Sequence, residues 1–222
     1  MLSLEEIKSN EKLNKYKDLV LETNKFLNLT AITDEEEFYI KHFYDSLLVM
    51  DYFDYKNKMV MDLGSGAGFP GIPLAILLPE TTFYLVEPTT KRANFLEKVK
   101  LELDLKNVIV VNKRAEELPL NFRSYFDFIV TRAVSALNIL LEISIPFLKK
   151  DGYLIALKGM KYNEEIEQSR NGLKILSSKV VEVKKEILPF INEERFNIII
   201  KKENDVDKKY PRLYSKILKK PL

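Results

Sequence analysis

Apolar side chains recur every three or four positions through residues 4–27, at Leu4, Ile7, Leu13, Tyr16, Leu19, Val20, Phe26 and Leu27. That spacing predicts an amphipathic helix, and Ser3 with Glu6 forms a capping-box signature at its start. Thr33 with Glu36 repeats the signature before Phe38, Ile40, Phe43, Leu47 and Leu48, which predicts a second helix. From residue 59 the pattern changes. Short apolar runs at 59–63, 82–87, 108–112, 126–131 and 153–157 alternate with helical patterns at 71–78, 90–103, 136–148 and 163–176. Such alternation predicts an α/β fold, a mostly parallel sheet with helices on both faces. Two β-rich runs, 179–187 and 195–201, predict a terminal antiparallel hairpin at the sheet edge. The chain thus divides into an N-terminal helical extension (1–58), an α/β domain (59–207) and a tail (208–222).

One stretch breaks the strand–helix alternation in an informative way. The first strand ends on Asp62-Leu63, and Gly64, Gly66 and Gly68 follow at every second position. Glycines are needed where the backbone takes positive φ or must approach a ligand without a Cβ. The start of the following helix has N–H groups suited to an anion. The turn therefore proposes a bound cofactor near residue 64, with Gly64, Ser65 and Gly66 beside it. Its class stays open at this point. Gly66-Ala67-Gly68-Phe69-Pro70-Gly71 satisfies the dinucleotide fingerprint, whereas Asp62 to Gly68 satisfies the Asp-x-Gly-x-Gly-x-Gly pattern of enzymes that use S-adenosylmethionine. The preceding acid, the helical N-terminus and the terminal hairpin resemble the class I methyltransferase-like (Rossmann-like) fold. About 70 residues after the fifth strand leave little room for a dehydrogenase's substrate region.

In a sheet of this kind, ligands bind beyond the carboxyl ends of the strands. After the second strand comes Glu87, 25 positions beyond Asp62, a separation suited to a carboxylate that receives ribose hydroxyls. After the third come Arg114, Ala115, Glu116 and Glu117; Ala115 and Glu116 could meet an adenine edge, or be an ordinary helix start with favourable acids. After the fourth comes Arg132, a charge directly following a buried run. After the fifth comes Lys158, a candidate phosphate contact or a solvated lysine. His42 is the only histidine, and Asp45 lies three residues on, within reach on one helix face. It reads either as a polar group paired at a helix–domain junction or as a group near substrate.

Charge and composition narrow the classes. The net charge is +2, yet residues 208–222 hold six basic residues and no acid, so the tail is +6 and the rest −4. A basic tail suits a polyanionic partner and equally suits a solubilising end. Cysteine is absent, which excludes disulfides, thiolate metal sites and cysteine nucleophiles. With one histidine, no metal site is expected. No run is long enough to span a membrane, and the first residues lack the regions of a signal peptide. The expectation is a cytoplasmic, metal-independent monomer.

Several stretches together resemble the ribosomal small-subunit methyltransferase G (glucose-inhibited division protein B) family. They are Asn28-Leu29-Thr30-Ala31-Ile32, Lys41-His42-Phe43-Tyr44-Asp45-Ser46-Leu47, Asp62 through Pro73, Lys91-Arg92, Arg114-Ala115-Glu116-Glu117, Thr131-Arg132-Ala133, Ala156-Leu157-Lys158-Gly159, and Tyr210-Pro211-Arg212 with Lys219-Lys220-Pro221-Leu222. The resemblance implies S-adenosylmethionine as cofactor, 16S ribosomal RNA or the small ribosomal subunit as partner, and methylation of guanine N7. It implies cofactor contacts at Gly64, Phe69, Ala115, Glu116 and Arg132, with Glu87, Pro88 and Thr89 beside the ribose. The chain departs from the family's usual pattern at Glu87, where aspartate is usual, and at Ser215 and Ile217, where glycine and proline are usual.

The residues agree with that chemistry. Guanine N7 has an in-plane lone pair and no proton, so alignment and water exclusion suffice. Covalent attack on a pyrimidine would need a cysteine. Amine methylation commonly uses an Asn/Asp-Pro-Pro-aromatic run after the fourth strand, where this chain has Thr131-Arg132-Ala133-Val134. Arg132 is then the candidate catalytic residue, orienting guanine or cofactor through its planar fork. Lys158, Arg212, Lys219 and Lys220 are candidate phosphate contacts. On this reading, removing the tail weakens RNA binding more than cofactor binding. An oxidoreductase and a non-catalytic RNA-binding factor are the other classes considered.

Overall fold

Seven short β-rich segments assemble into one sheet in the computed structural model, which describes residues 2–222. They are β1 (Met59–Leu63), β2 (Thr82–Val86), β3 (Val108–Val111), β4 (Phe126–Arg132), β5 (Leu148–Lys158), β6 (Ser178–Ile187) and β7 (Glu194–Lys202). The order across the sheet is β3-β2-β1-β4-β5-β7-β6. β1 to β5 are parallel, and the β6–β7 hairpin joins β5 antiparallel through β7. Strand order reverses between β1 and β4, so the switch point lies beyond the carboxyl ends of those two strands.

Side chains alternate between faces. Val60, Phe128 and Val130 enter one apolar cluster, and Met61, Leu63 and Ile129 enter the other. The first cluster is covered by α1 (Leu4–Ser9), α2 (Glu11–Leu27), α5 (Gly71–Leu77) and α6 (Thr90–Glu102). Between α2 and β1 runs a composite helical segment: α3 (Glu35–Phe38), a π-helical turn (Tyr39–Tyr44), α4 (Asp45–Leu47) and a 3₁₀ turn (Leu48–Tyr52). The second cluster is covered by α7 (Leu137–Ser144), α8 (Tyr162–Gln168), α9 (Arg170–Ile175) and α10 (Tyr214–Lys219). No described helix is long and apolar enough to cross a membrane.

Several boundaries differ from the sequence pattern, each for a local reason. The helix expected over 4–27 divides at Asn10, whose extended backbone and side-chain bond to the Leu13 N–H (3.0 Å) start a new helix. The second helical start is capped by Asp34, which accepts from the Glu37 N–H at 3.0 Å, and not by Thr33. The helix expected to reach residue 148 leaves α form at Ser144, just ahead of Pro146. The helix expected over 163–176 divides at Ser169, whose hydroxyl bonds back to the Glu165 carbonyl at 2.6 Å. β5 begins five residues early because Asp151, at φ 64°, forms a bulge where the pattern reads as a turn.

The basic tail packs on the domain. Tyr210 and Ile217 are buried in the second cluster, so residues 208–222 are stitched to the domain and are not a detached arm. Ile217 is fully buried.

Candidate cofactor and acceptor site

The glycine turn is closed by its own hydrogen bonds. Gly64, Gly66 and Gly68 have φ of 72°, 59° and 106°, in the region that disfavours side chains. At Gly64 the space is also filled, since a Cβ there would lie 2.5 Å from Val134 Cγ2. The Gly64 and Ser65 N–H groups donate to the Val86 carbonyl at 2.8 and 3.2 Å, and Gly66 donates to Glu87 Oε2 at 2.9 Å. Ser65 Oγ donates to the Asp62 carbonyl at 2.9 Å. Gly71, the first residue of α5, donates to Asp62 Oδ2 at 3.0 Å.

The acceptor at the start of α5 is the protein's own Asp62 carboxyl, fully buried. Burial lifts its carboxyl to about 7, against the pull of the Gly71 N–H and the more distant Arg132. With these N–H groups used internally, the turn suits a neutral or cationic ligand group better than a pyrophosphate. Ser65 and Phe69 are buried as well; their side chains serve the fold, the hydroxyl locking the turn and the ring entering the core.

Glu87 ties the ends of β1 and β2 together. Its second oxygen, Oε1, accepts from the Thr89 N–H at 2.8 Å. Asn112, just after β3, donates to the Glu87 and Pro88 carbonyls at 2.9 and 3.1 Å. A carboxylate offers about four lone-pair sites, so two backbone donors leave capacity for hydroxyls. Beside it, Gly64, Pro88, Ala115, Glu116, Val134 and Tyr214 surround a slot of about 100 Å³. Burial raises the Glu116 carboxyl above its ordinary value. Tyr214 comes from α10 in the tail, where charge alone gave no hint of a wall to this slot.

On the other side of the post-β4 segment, Arg132 fastens the helical extension to the sheet. Nη1 donates to the Lys41 carbonyl and to Asp45 Oδ2, each at 3.0 Å, and Nη2 lies 3.2 Å from His42 Nδ1. Arginine only donates, so Nδ1 is the accepting nitrogen and the His42 proton sits on Nε2. That nitrogen is 2.7 Å from Thr30 Oγ1, in the loop before α3. The His42 ring stacks on Phe69 at 4.3 Å, and the Arg132 guanidinium lies over the same Phe69 ring at 5.1 Å. Burial and then the Arg132 charge push the His42 pKa down to about 3. His42 is therefore the paired junction group of the two readings.

Arg132, Ala133, Lys41, Asp45, Lys158 and Arg195 line an open cavity of about 440 Å³, within the range of small-ligand sites. Asp45 and Arg195 escaped the sequence reading as site residues. Asp45 was visible only as a neighbour of His42, and Arg195 reaches it from the distant β7 with no shared motif. Two candidate phosphate contacts are committed elsewhere. Arg212 donates to buried Glu142 through Nε at 2.7 Å and through Nη2 at 2.5 Å, so it anchors the tail. Lys158 donates to Glu165 and the Ser135 carbonyl at 2.7 and 2.6 Å and lines the cavity as an ion-paired group. Lys219 and Lys220 are exposed.

Comparison with known proteins adds independent findings. A family model described as rRNA small subunit methyltransferase G matches residues 9–192. The Ribosomal RNA small subunit methyltransferase G of Thermoanaerobacter sp. is 44% identical over 215 residues, covering 96% of this chain and 90% of the relative. The protein of the same name from Fusobacterium nucleatum is 45% identical over 212 residues, covering 96% and 91%. Among solved structures, M. jannaschii TYW2 in complex with AdoMet has a TM-score of 0.59 at 17% identity, over 79% of this chain and 78% of that one. A SAM dependent methyltransferase from Aquifex aeolicus has a TM-score of 0.59 at 19% identity, over 76% and 94%. These structural likenesses are of fold.

Proposed function

This chain belongs to the ribosomal RNA small subunit methyltransferase G family, and from that premise we propose that it moves a methyl group from S-adenosylmethionine to small-subunit ribosomal RNA. The acceptor in this reading is N7 of a guanine in 16S RNA. The observation that carries the cofactor assignment is the turn itself. Its N–H groups are used by Val86, Glu87 and Asp62, and at Gly66, bonded to the Glu87 carboxylate, a Cβ would meet nothing nearer than a backbone oxygen at 3.9 Å.

The residues fit the cofactor. Glu87 would accept ribose hydroxyls, and Pro88, Ala115 and Glu116 would line the adenine slot. Gly64 and Gly66 would keep the backbone clear at its methyl-bearing end. When bound, the cofactor supplies an electrophilic methyl group on a sulfonium.

The rest is positioning by this chain's own groups. N7 carries no proton, so no side chain has to remove one. His42 and Asp62 are buried and tied into the fold, which agrees with chemistry that needs no acid–base pair. Arg132 is read as a positioning residue: its guanidinium holds Lys41, His42 and Asp45 as one wall of the acceptor cavity. That wall and the loop carrying Thr30 exclude water from one side. The exposed Lys219 and Lys220 supply phosphate contacts. The enzyme is read as a cytoplasmic monomer.

Calorimetry tests the cofactor half directly. S-adenosylmethionine should bind wild type, Glu87→Ala should weaken it by about tenfold or more, and NAD should not bind. Binding of NAD without binding of the methyl donor would overturn the reading.

A further inference from the structure

The acceptor cavity holds one buried polar atom with an unmet need. Asp45 is 3% exposed, and its Oδ2 is taken by Arg132 Nη1 at 3.0 Å. Its Oδ1 is buried and has no hydrogen-bond partner among the described residues. Arg195 Nε lies 3.3 Å away without hydrogen-bond alignment. Arg195 directs Nη2 to Glu193 at 2.9 Å and Nη1 to the Glu194 carbonyl at 3.2 Å. An acceptor buried without a bond is costly, so a ligand that supplied a donor there would recover that cost.

Both residues line the cavity of about 440 Å³, which also contains Arg132 and Ala133. The next residue, Val134, lines the slot assigned to the cofactor. The cavity that holds the Asp45–Arg195 contact therefore adjoins that slot through consecutive residues, Ala133 and Val134. It presents an acceptor and a donor side by side.

We propose that this pair reads the acceptor base: guanine enters between them, Oδ1 of Asp45 accepting its N1–H and N2–H donors and Arg195 donating to O6. The inference rests on the guanine-methylating function proposed above and deepens it. Guanine's Watson–Crick edge runs acceptor, donor, donor, which matches the arginine–carboxylate order. Adenine's edge runs donor then acceptor, which sets its amine against Arg195 and its N1 lone pair against Asp45. Flipped bases are commonly read along this edge. Reading guanine there also leaves N7, on the adjacent Hoogsteen edge, free for methyl transfer, and it satisfies the orphaned Oδ1. Arg132 keeps the carboxylate in place through Oδ2, so only the Arg195 side of the pair has to open.

The test compares methyl transfer to a small-subunit RNA fragment carrying guanine at the mapped acceptor position with transfer to the same fragment carrying adenine there. Wild type, Asp45→Asn and Arg195→Gln are measured, with thermal melts and cofactor titrations in parallel. Wild type should prefer guanine strongly. Each variant should cut the guanine-to-adenine ratio of kcat/KM by about tenfold or more. Arg195→Gln carries the test on its own if Asp45→Asn fails to fold. A structural role alone would slow both substrates by the same factor, and that result overturns the proposal. If wild type transfers no methyl group to either RNA, the proposed function falls and this inference with it.

Discussion

His42 lies face to face with Phe69, ring centroids 4.3 Å apart and planes 8° from parallel, while its Nδ1 sits 3.2 Å from the Arg132 guanidinium. This contact joins the helical extension, the glycine turn and the end of β4 in one stack, and it accepts only the neutral imidazole. Burial and the Arg132 charge hold the His42 pKa at about 3, against 6.5 ordinarily. Its contribution to stability is therefore complete above pH 6.5 and is lost as pH falls toward 3. Asp62 has the opposite sign. Burial raises it from 3.8 to about 7, so its contribution is complete below pH 3.8 and is lost as pH rises through 7. From about pH 4 to 6.5 the two should offset in wild type. Urea unfolding across this range should show Asp62→Asn gaining stability with pH, by at most about 1.4 kcal/mol per pH unit, and His42→Gln losing it. Parallel profiles for both variants would contradict these assignments.

Gly64 and Gly66 separate backbone strain from steric exclusion. A side chain at Gly66 meets nothing nearer than a backbone oxygen at 3.9 Å, so Gly66→Ala should cost only the left-handed conformation, about 1–2 kcal/mol. Gly64→Ala adds the clash with Val134 and should cost more, with cofactor affinity lost as well. Pairing it with Val134→Ala should recover part of the stability. Equal losses at the two glycines, measured by urea unfolding, would refute the steric account.

Arg212 should behave as a structural residue. Removing its side chain takes the ion-pair partner from the fully buried Glu142 carboxylate, and breaking a buried pair in this way typically costs about 3–5 kcal/mol. Arg212→Ala should lower the thermal midpoint strongly. Replacing both partners by methionine should restore much of it. A variant with native stability and weakened RNA binding would return Arg212 to phosphate contact.

Lys219 and Lys220 should show the reverse. Both are exposed, so Lys219→Ala with Lys220→Ala should leave the melt unchanged. RNA affinity should fall, and the salt dependence of binding should become shallower by about one power of salt concentration per lost contact. Truncating the whole tail is a different experiment. Because Tyr214 walls the cofactor slot and Ile217 is core, truncation should damage cofactor binding and folding as well.

What was legible from the residues was whatever obeys a period or a fixed separation. Met59–Leu63 ends where the apolar run ends, and Gly64, Ala115 and Glu116 line one slot beyond the strand ends. Partnerships across long separations were not legible. Arg195 reaches Asp45 only because β7 lies beside β5, and no pattern in either segment announces the other. Charge also misled where it hid apolar anchors. The tail counts as six basic residues, yet Tyr210 and Ile217 decide where it sits. Two adjacent capping signatures, Thr33 with Glu36 and Asp34 with Glu37, differ by one residue, and the stronger acceptor won. Lys158 follows its strand as expected, but Glu165 on α8 folds back to neutralise it.

The central claim is methyl transfer to small-subunit RNA, and labelled S-adenosylmethionine tests it most directly. The purified chain is incubated with 16S RNA and with intact small subunits that lack the modification, and the labelled base is then mapped. The account predicts one labelled guanine, modified at N7, in at least one of the two substrates. Label on a different base or ring position, or none in either substrate while the cofactor binds, would contradict it.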